Sequence, residues 1–195
     1  MMEAIMLSPA PGRPRSDQAD HAILEAAFRL LATHGYDAMT MEGVAAEAGV
    51  AKTTVYRRFA HKADLVSAAL VEHMPLPDPP ATGSIRGDLI ALVALFQQGV
   101  VAGLGIKLLG TLLVQEDRYP ELLDLFRKRL IGPRRRMLAA VLRRGVACGE
   151  LRADLDVEKA IDMLVGAVLI HRVARGEPSA DYAKRTVHAL WPALI

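Results

Sequence analysis

Cysteine is almost missing from these 195 residues, with Cys148 the single example. One thiol excludes an intramolecular disulfide and any zinc site built from several cysteines, and it fits a reducing cytoplasm. Aromatic residues make up only 5% of the chain. The alternation of Val, Ile, Thr and Tyr that marks strands is nearly absent, so the chain reads as all-α. No glycine-rich phosphate loop, nucleophile elbow or zinc motif occurs. The carboxylates Glu116, Asp117, Glu121 and Asp124 cluster near Pro120. No Glu-x-x-His pair accompanies them, which argues against a di-iron bundle. No cofactor or metal is therefore expected. A helical-bundle enzyme stands as a competing reading, and metal analysis of the purified protein would decide it. No internal repeat is visible.

Two segments bear on location. The start, MMEAIMLSPAPGRPRS, has too short an apolar run for a signal peptide and carries Glu3 within it. It reads as a flexible tail over residues 1–15 that ends in a basic arm, Arg13 and Arg15. Leu89 to Ile106 contains no charged residue, a length that approaches a membrane span. Gln97 and Gln98 in its middle, Gly99, Gly103 and Gly105 at one end, and Lys107 just beyond favour two buried helices joined by a glycine-containing turn. The expectation is no membrane and a cytoplasmic location.

Net charge is +2, too small to announce a nucleic-acid binder by itself. The distribution says more. Residues 1–74 hold 7 Lys+Arg against 9 Asp+Glu, yet Gly49 to Lys62 contains Lys52, Arg57, Arg58 and Lys62 with no acid. A cationic patch in an otherwise neutral domain favours a docking surface over general stickiness. Eight cations between Arg127 and Arg144 read as a solvated helix face, with an acidic or phosphate partner as the rival reading.

Helical signals begin at Ser16. Ser16 or Asp17 caps a helix that runs to His34, with Ile23, Leu24, Ala27, Phe28 and Leu31 at helical spacing and Gly35 as its terminator. Thr40 caps a second helix ending at Ala48. Gly49 breaks the chain, a third short helix covers Lys52 to Phe59, and a fourth starts at His61 or Lys62 with Leu65, Val66, Ala69 and Leu70 inward. Met74–Ser84 holds four prolines and marks a junction, because proline lacks a backbone donor and resists helix. Beyond it lie Ile85–Val100, Gly103–Glu116, a long helix Pro120–Cys148 with a kink expected at Gly132-Pro133, Val157–Arg175, and Ser179–Trp191 capped by Ser179.

Three short helices sharing a core, the last two separated by a tight turn at Gly49-Val50, form the helix-turn-helix pattern. In it the second helix of the pair enters the major groove of DNA. Val50, Val55 and Phe59 are expected to face the core. The motifs Thr40-Met41-Glu42-Gly43-Val44-Ala45, Ala48-Gly49-Val50, Thr54-Val55-Tyr56-Arg57-Arg58-Phe59 and Lys62-Ala63-Asp64-Leu65 closely resemble the TetR family of bacterial transcriptional regulators. Gly12-Arg13-Pro14-Arg15 and Ala22-Ile23-Leu24-Glu25-Ala26-Ala27 look like that family too. The strong match covers about residues 13–66. Departures are Gly43, where the family usually has a polar residue, Ala51, where a serine cap is common, and His61 ahead of Lys62. Together they imply a head held loosely until it meets DNA.

The resemblance implies an N-terminal three-helix, homeodomain-like helix-turn-helix DNA-binding domain over 16–73, a proline-rich junction over 74–84, and a C-terminal helical ligand-binding and dimerisation domain over 85–195. It implies a homodimer on a palindromic operator in double-stranded DNA, released by a small-molecule effector, and the composition of the second half favours an apolar one. Lys52, Thr53 and Thr54 are expected at base edges and Arg58 on guanine. Tyr56, Arg57, Lys62 and Thr40 are expected on the DNA backbone. The competing reading of Tyr56 is a half-buried core ring, and of Arg57 a solvated charge. Leu92, Phe96, Leu109, Leu113, Phe126, Met137 and Met163 are candidates for a ligand pocket, with ordinary core as the alternative. Gln97, Gln98 and Lys107 either orient a ligand or face solvent. Leu164, Gly166, Ala167, Val168 and Leu190 are the candidates for the dimer interface. A ligand-independent DNA-binding protein is the remaining competing function.

Overall fold

The computed structural model describes residues 14–101, 105–114 and 116–195. The arm residues 1–13, Gly103 and the side chains of Arg15 and Lys107 lie outside the described residues. Every regular element among the described residues is helical. Spatial proximity divides the chain between Ala69 and Leu70 into two compact units.

The first unit begins with α1 (Pro14–Ala38), whose helical backbone is interrupted at Gly35, φ 76°. That left-handed value requires glycine and turns the chain after His34. Next come α2 (Met41–Glu47), α3 (Lys52–Arg58) and α4 (Lys62–His73), the last of which continues past Ala69. Ile23, Ala26, Ala27, Val44, Val55, Leu65 and Val66 are essentially inaccessible and form the core. Thr40 Oγ1 accepts from Gly43 N at 3.0 Å and so caps α2. A Cβ at Gly43 would sit 3.0 Å from that same oxygen, so glycine here gives the cap room. Gly49, φ 65°, makes the turn into α3. Of the three core residues expected around α3, only Val55 is fully buried; Val50 and Phe59 flank the short helix and are half-buried.

The second unit contains α5 (Ile85–Val101), α6 (Gly105–Val114), α7 (Pro120–Phe126), α8 (Gly132–Ala147), α9 (Val157–Arg175) and α10 (Tyr182–Leu194). Its core joins Leu89 and Val93 of α5, Leu142 of α8, Ile161, Leu164 and Val168 of α9, and Val187 of α10. The break expected in the long helix is a π-helical turn, Arg127–Ile131, placed just ahead of Gly132-Pro133. Gly132 N–H bonds Arg127 O, and a Cβ on Gly132 would lie 3.1 Å from that carbonyl. Pro133 cannot donate, so the wider turn absorbs the mismatch.

The last helix starts at Tyr182, with Asp181 rather than Ser179 in the cap position. Ser179 Oγ instead donates to Asp181 Oδ1 at 2.6 Å, and its carbonyl accepts from Tyr182 N–H, which makes a turn ahead of the helix. Pro192 sits inside α10, which runs on to Leu194. Gln97 neither faces solvent nor waits for a ligand. It is buried, its Oε1 accepts from Ala183 N–H at 3.1 Å, and its Nε2 donates to the Ser179 carbonyl at 2.9 Å. It thereby satisfies an orphan donor in the first turn of α10. Gln98 is exposed.

Two arginines of α8 hold the ends of the proline-rich stretch. Arg134 donates to the carbonyls of Met74 and Pro75. Arg144 pairs with the buried Asp88, which also accepts from the Thr82 backbone N–H and hydroxyl, each at 2.8 Å. Arg135 bridges to Glu158 and Asp162 of α9 at 2.7 and 2.6 Å. Arg127 and Lys128 pair with Glu116 and Asp124. The basic run is therefore largely engaged within its own unit. No helix among the described residues is long and apolar enough to cross a membrane.

Candidate nucleic-acid interface

Helix α3 is seven residues long, and Val55 fastens it to the core. Its N-cap position is Ala51, which makes no side-chain cap bond. Lys52, Thr53, Tyr56 and Arg57 are exposed and Thr54 is half-buried. Thr40 is exposed at the start of α2, with its hydroxyl oxygen accepting the cap bond. These six residues form the outward set of the eight expected DNA contacts. Tyr56 is 48% exposed, which sets aside its reading as a core ring.

Two expected contacts face elsewhere. Arg58 has only 17% of its side chain exposed; Nε bonds Asp20 of α1, and Nη1 donates to Thr54 O at 3.3 Å. Its position three residues after Val55 puts it on the flank of α3 turned toward α1, not toward a base edge. Lys62 is held inward as well. Nζ donates to the carbonyls of Tyr36 at 2.8 Å and Met39 at 3.1 Å, and it lies 4.1 Å from the centre of the Tyr36 ring. These carbonyls belong to the turn that follows Gly35, where the helical ladder leaves acceptors unmatched, so the ammonium ties the start of α4 to that turn.

Acidic residues that the periodicity does not mark complete the surface. The Tyr56 hydroxyl donates to Glu42 Oε1 at 2.8 Å, joining α3 to α2. That bond holds the Glu42 carboxyl below the usual carboxylate range, aided by the positive charge of Lys52, and pushes the Tyr56 phenol up. Arg29 of α1 pairs with Glu47 of α2 at 2.9 Å. The signal for Glu42 was available in its position on the first turn of α2. The signal for Asp20 was not, because 38 residues separate it from Arg58.

In the second unit, the expected pocket residues differ in burial. Leu92 is buried, and Phe96 and Met137 pack against the core. Leu109 and Phe126 are half-buried, whereas Leu113 on the outer side of α6 is 55% exposed. Met163 belongs to an open apolar groove of about 580 Å³ between α9 and α10, lined also by Gly166, Ala167, Ile170, Ala189 and Leu190. Gly166, Ala167 and Leu190 of the expected dimer set are thus on this open face. Leu164 and Val168 are fully buried in the unit's own core, because they project from the opposite side of α9. They are unavailable to a partner. No group of His, Cys, Asp and Glu suited to a metal ion occurs among the described residues.

A three-helix head with an exposed, cation-bearing helix after a glycine turn, followed by a helical body, defines a helix-turn-helix transcription regulator. Comparison with known proteins agrees. Residues 23–69 match the profile of the bacterial regulatory proteins of the tetR family, and residues 79–190 match the tetracyclin repressor-like C-terminal domain. The HTH-type transcriptional regulator Rv1556 of Mycobacterium tuberculosis (strain H37Rv) is 33% identical over 183 residues, 93% of this chain and 86% of the relative. The DNA-binding transcriptional repressor TetR of Mycobacteroides abscessus is 34% identical over 169 residues, 86% of this chain and 88% of that one. The crystal structure of the TetR family transcription regulator SCO0332 is similar with a TM-score of 0.67 and 28% identity, covering 91% of this chain and 99% of that one. The chain belongs to the TetR family of transcriptional regulators, which are DNA-binding proteins and not enzymes.

Proposed function

We propose that the chain is a homodimeric repressor that binds a palindromic operator through α3 and is released by a small apolar molecule. The observation that carries the reading is the two-sided character of α3. Val55 is fully buried, while Lys52, Thr53, Tyr56 and Arg57 are exposed, and no acid occurs from Gly49 to Lys62. Lys52 and Thr53 open the helix and meet base edges, with Thr54 beside them. Tyr56, Arg57 and Thr40 meet phosphates. Arg58 and Lys62 act behind the surface, fixing α3 and α4 to the rest of the head. The relative described as a transcriptional repressor favours repression over activation.

A palindrome needs two heads spaced by about 34 Å, hence a two-fold protein. The open α9–α10 groove supplies a self-complementary apolar face for an isologous four-helix contact, with Gly166 and Ala167 permitting close approach and Leu190 filling it. The effector enters the second unit among Leu92, Phe96, Leu109, Phe126 and Met137, in the cytoplasm, and favours the released state by binding it more tightly than the DNA-bound one.

The test is selection of duplexes from a random pool, followed by titration across salt concentrations. Arg57→Ala should lower the slope of log affinity against log salt by about 0.9 for each head. Lys62→Ala should leave that slope nearly unchanged and lower the melting temperature. A pool with no enriched sequence, or an unchanged slope for Arg57→Ala, rules out the assignment.

A further inference from the structure

We propose that Glu42 is a specificity-determining residue that competes with DNA phosphate for the single hydroxyl proton of Tyr56. This rests on the reading of α3 as the DNA-facing helix. The Tyr56 hydroxyl has one hydrogen, and it is donated to Glu42 Oε1 at 2.8 Å. A phosphate oxygen is also purely an acceptor, so Tyr56 cannot serve both at once. Any phosphate contact by this hydroxyl requires that Glu42 give it up.

Three features make the exchange selective. First, Tyr56 is 48% exposed and Glu42 is half-buried beside it, so the acceptor in place is attached to the α2 backbone and needs no diffusion to return. Second, Glu42 is ionised and its charge opposes any phosphate that approaches the same spot. Third, Lys52 acts on the same carboxylate through its charge, and offers it compensation once the hydroxyl has moved. A duplex that seats the whole helix repays the exchange through its base contacts. One that touches only the backbone does not, and Tyr56 stays on Glu42. The cost of the exchange therefore falls on operator binding, and the carboxylate narrows the preference for operator over random sequence.

Glu42→Gln tests this with little change in shape. The amide oxygen still accepts from Tyr56, so the ring keeps its place, but the charge and the stronger acceptor are gone. Affinity is measured by fluorescence anisotropy at low salt on two duplexes of about 30 base pairs, one random and one recovered by selection. Removing one unit charge near a phosphate should strengthen selected-duplex binding about threefold per head. The gain on the random duplex, where Tyr56 need not leave Glu42, should be smaller, so the ratio between the two rises. In a Tyr56→Phe background the effect of Glu42→Gln on the selected duplex should shrink, because the contested proton is gone. Unchanged selected-duplex affinity, or the same gain in both backgrounds, overturns the proposal. If Tyr56→Phe alone leaves binding to both duplexes unaltered, the reading of α3 fails instead. Melting curves establish that each variant is folded.

Discussion

Replacing Gln97 with leucine should destabilise the second unit without opening a cavity, since the two side chains are similar in volume. The structure sets the magnitude. Gln97 Oε1 is the acceptor for Ala183 N–H, a donor in the first turn of α10 on a buried residue. Leaving such a group unmatched costs about 1–3 kcal/mol. The Ser179 carbonyl loses Nε2 but keeps Tyr182 N–H at 2.9 Å, so its share is only about 1 kcal/mol. The expected total is about 2–4 kcal/mol. For a unit of this size that is a fall in Tm of about 6–15 °C. The assay is thermal unfolding of the full chain by circular dichroism at fixed protein concentration, because association would shift the midpoint. Gln97→Glu keeps an acceptor for Ala183 but sets a carboxylate against the Ser179 carbonyl, so it should not restore stability. A change below about 0.5 kcal/mol for Gln97→Leu would refute the claim that this side chain secures α10.

Gly145→Ala should also destabilise, by about 1–3 kcal/mol in urea titrations. A Cβ there would lie 2.7 Å from Leu151 Cγ and 3.0 Å from Ile85 Cγ2, both on buried residues, so Gly145→Ala and Leu151→Ala together should lose less than the sum of the two single losses. Asp88 should produce an acid-sensitive step. Burial raises its carboxyl pKa, but the Thr82 backbone and hydroxyl bonds and Arg144 outweigh that, and the folded value lies below the ordinary one. The unfolded chain then binds more protons on the acid side. The stabilisation is fully present above about pH 4 and is lost as pH falls through the folded pKa. Urea midpoints measured down that range should drop more steeply for the native chain than for Asp88→Asn.

The helices were legible because their signals are local. Gly35 and Gly49 stand where the chain needs a left-handed residue, Thr40 caps α2, and Val157–Arg175 is bounded by Asp156 and Gly176. The start of α10 was less so, since Ser179 and Asp181 are both cap-type residues and only packing decides between a turn and a helix. Side-chain direction was the hardest part. Periodicity places the Cα of Arg58 and Lys62 beside a cationic surface, but long side chains reach 6 Å or so in several directions, and their partners are far away in sequence. Asp20 is 38 residues before Arg58, and the Tyr36 carbonyl is 26 before Lys62. For the same reason Leu164 and Val168 could not be assigned to the inner side of α9 without seeing which neighbours cover them.

These distant partners also alter the expectation of a head that is ordered by DNA. Ala51 leaves α3 uncapped, as its chemistry requires, and the helix has one fully buried side chain. Seven residues with so little local support would be marginal alone. Yet Tyr56 is tied to α2 through Glu42, Arg58 to α1 through Asp20, and Lys62 locks the following helix to the turn after Gly35. The order of α3 comes from bonds across helices. Those bonds occupy three groups that sequence alone would have left free for DNA, and two of them, on Arg58 and Lys62, hold the head in shape from behind its contact surface.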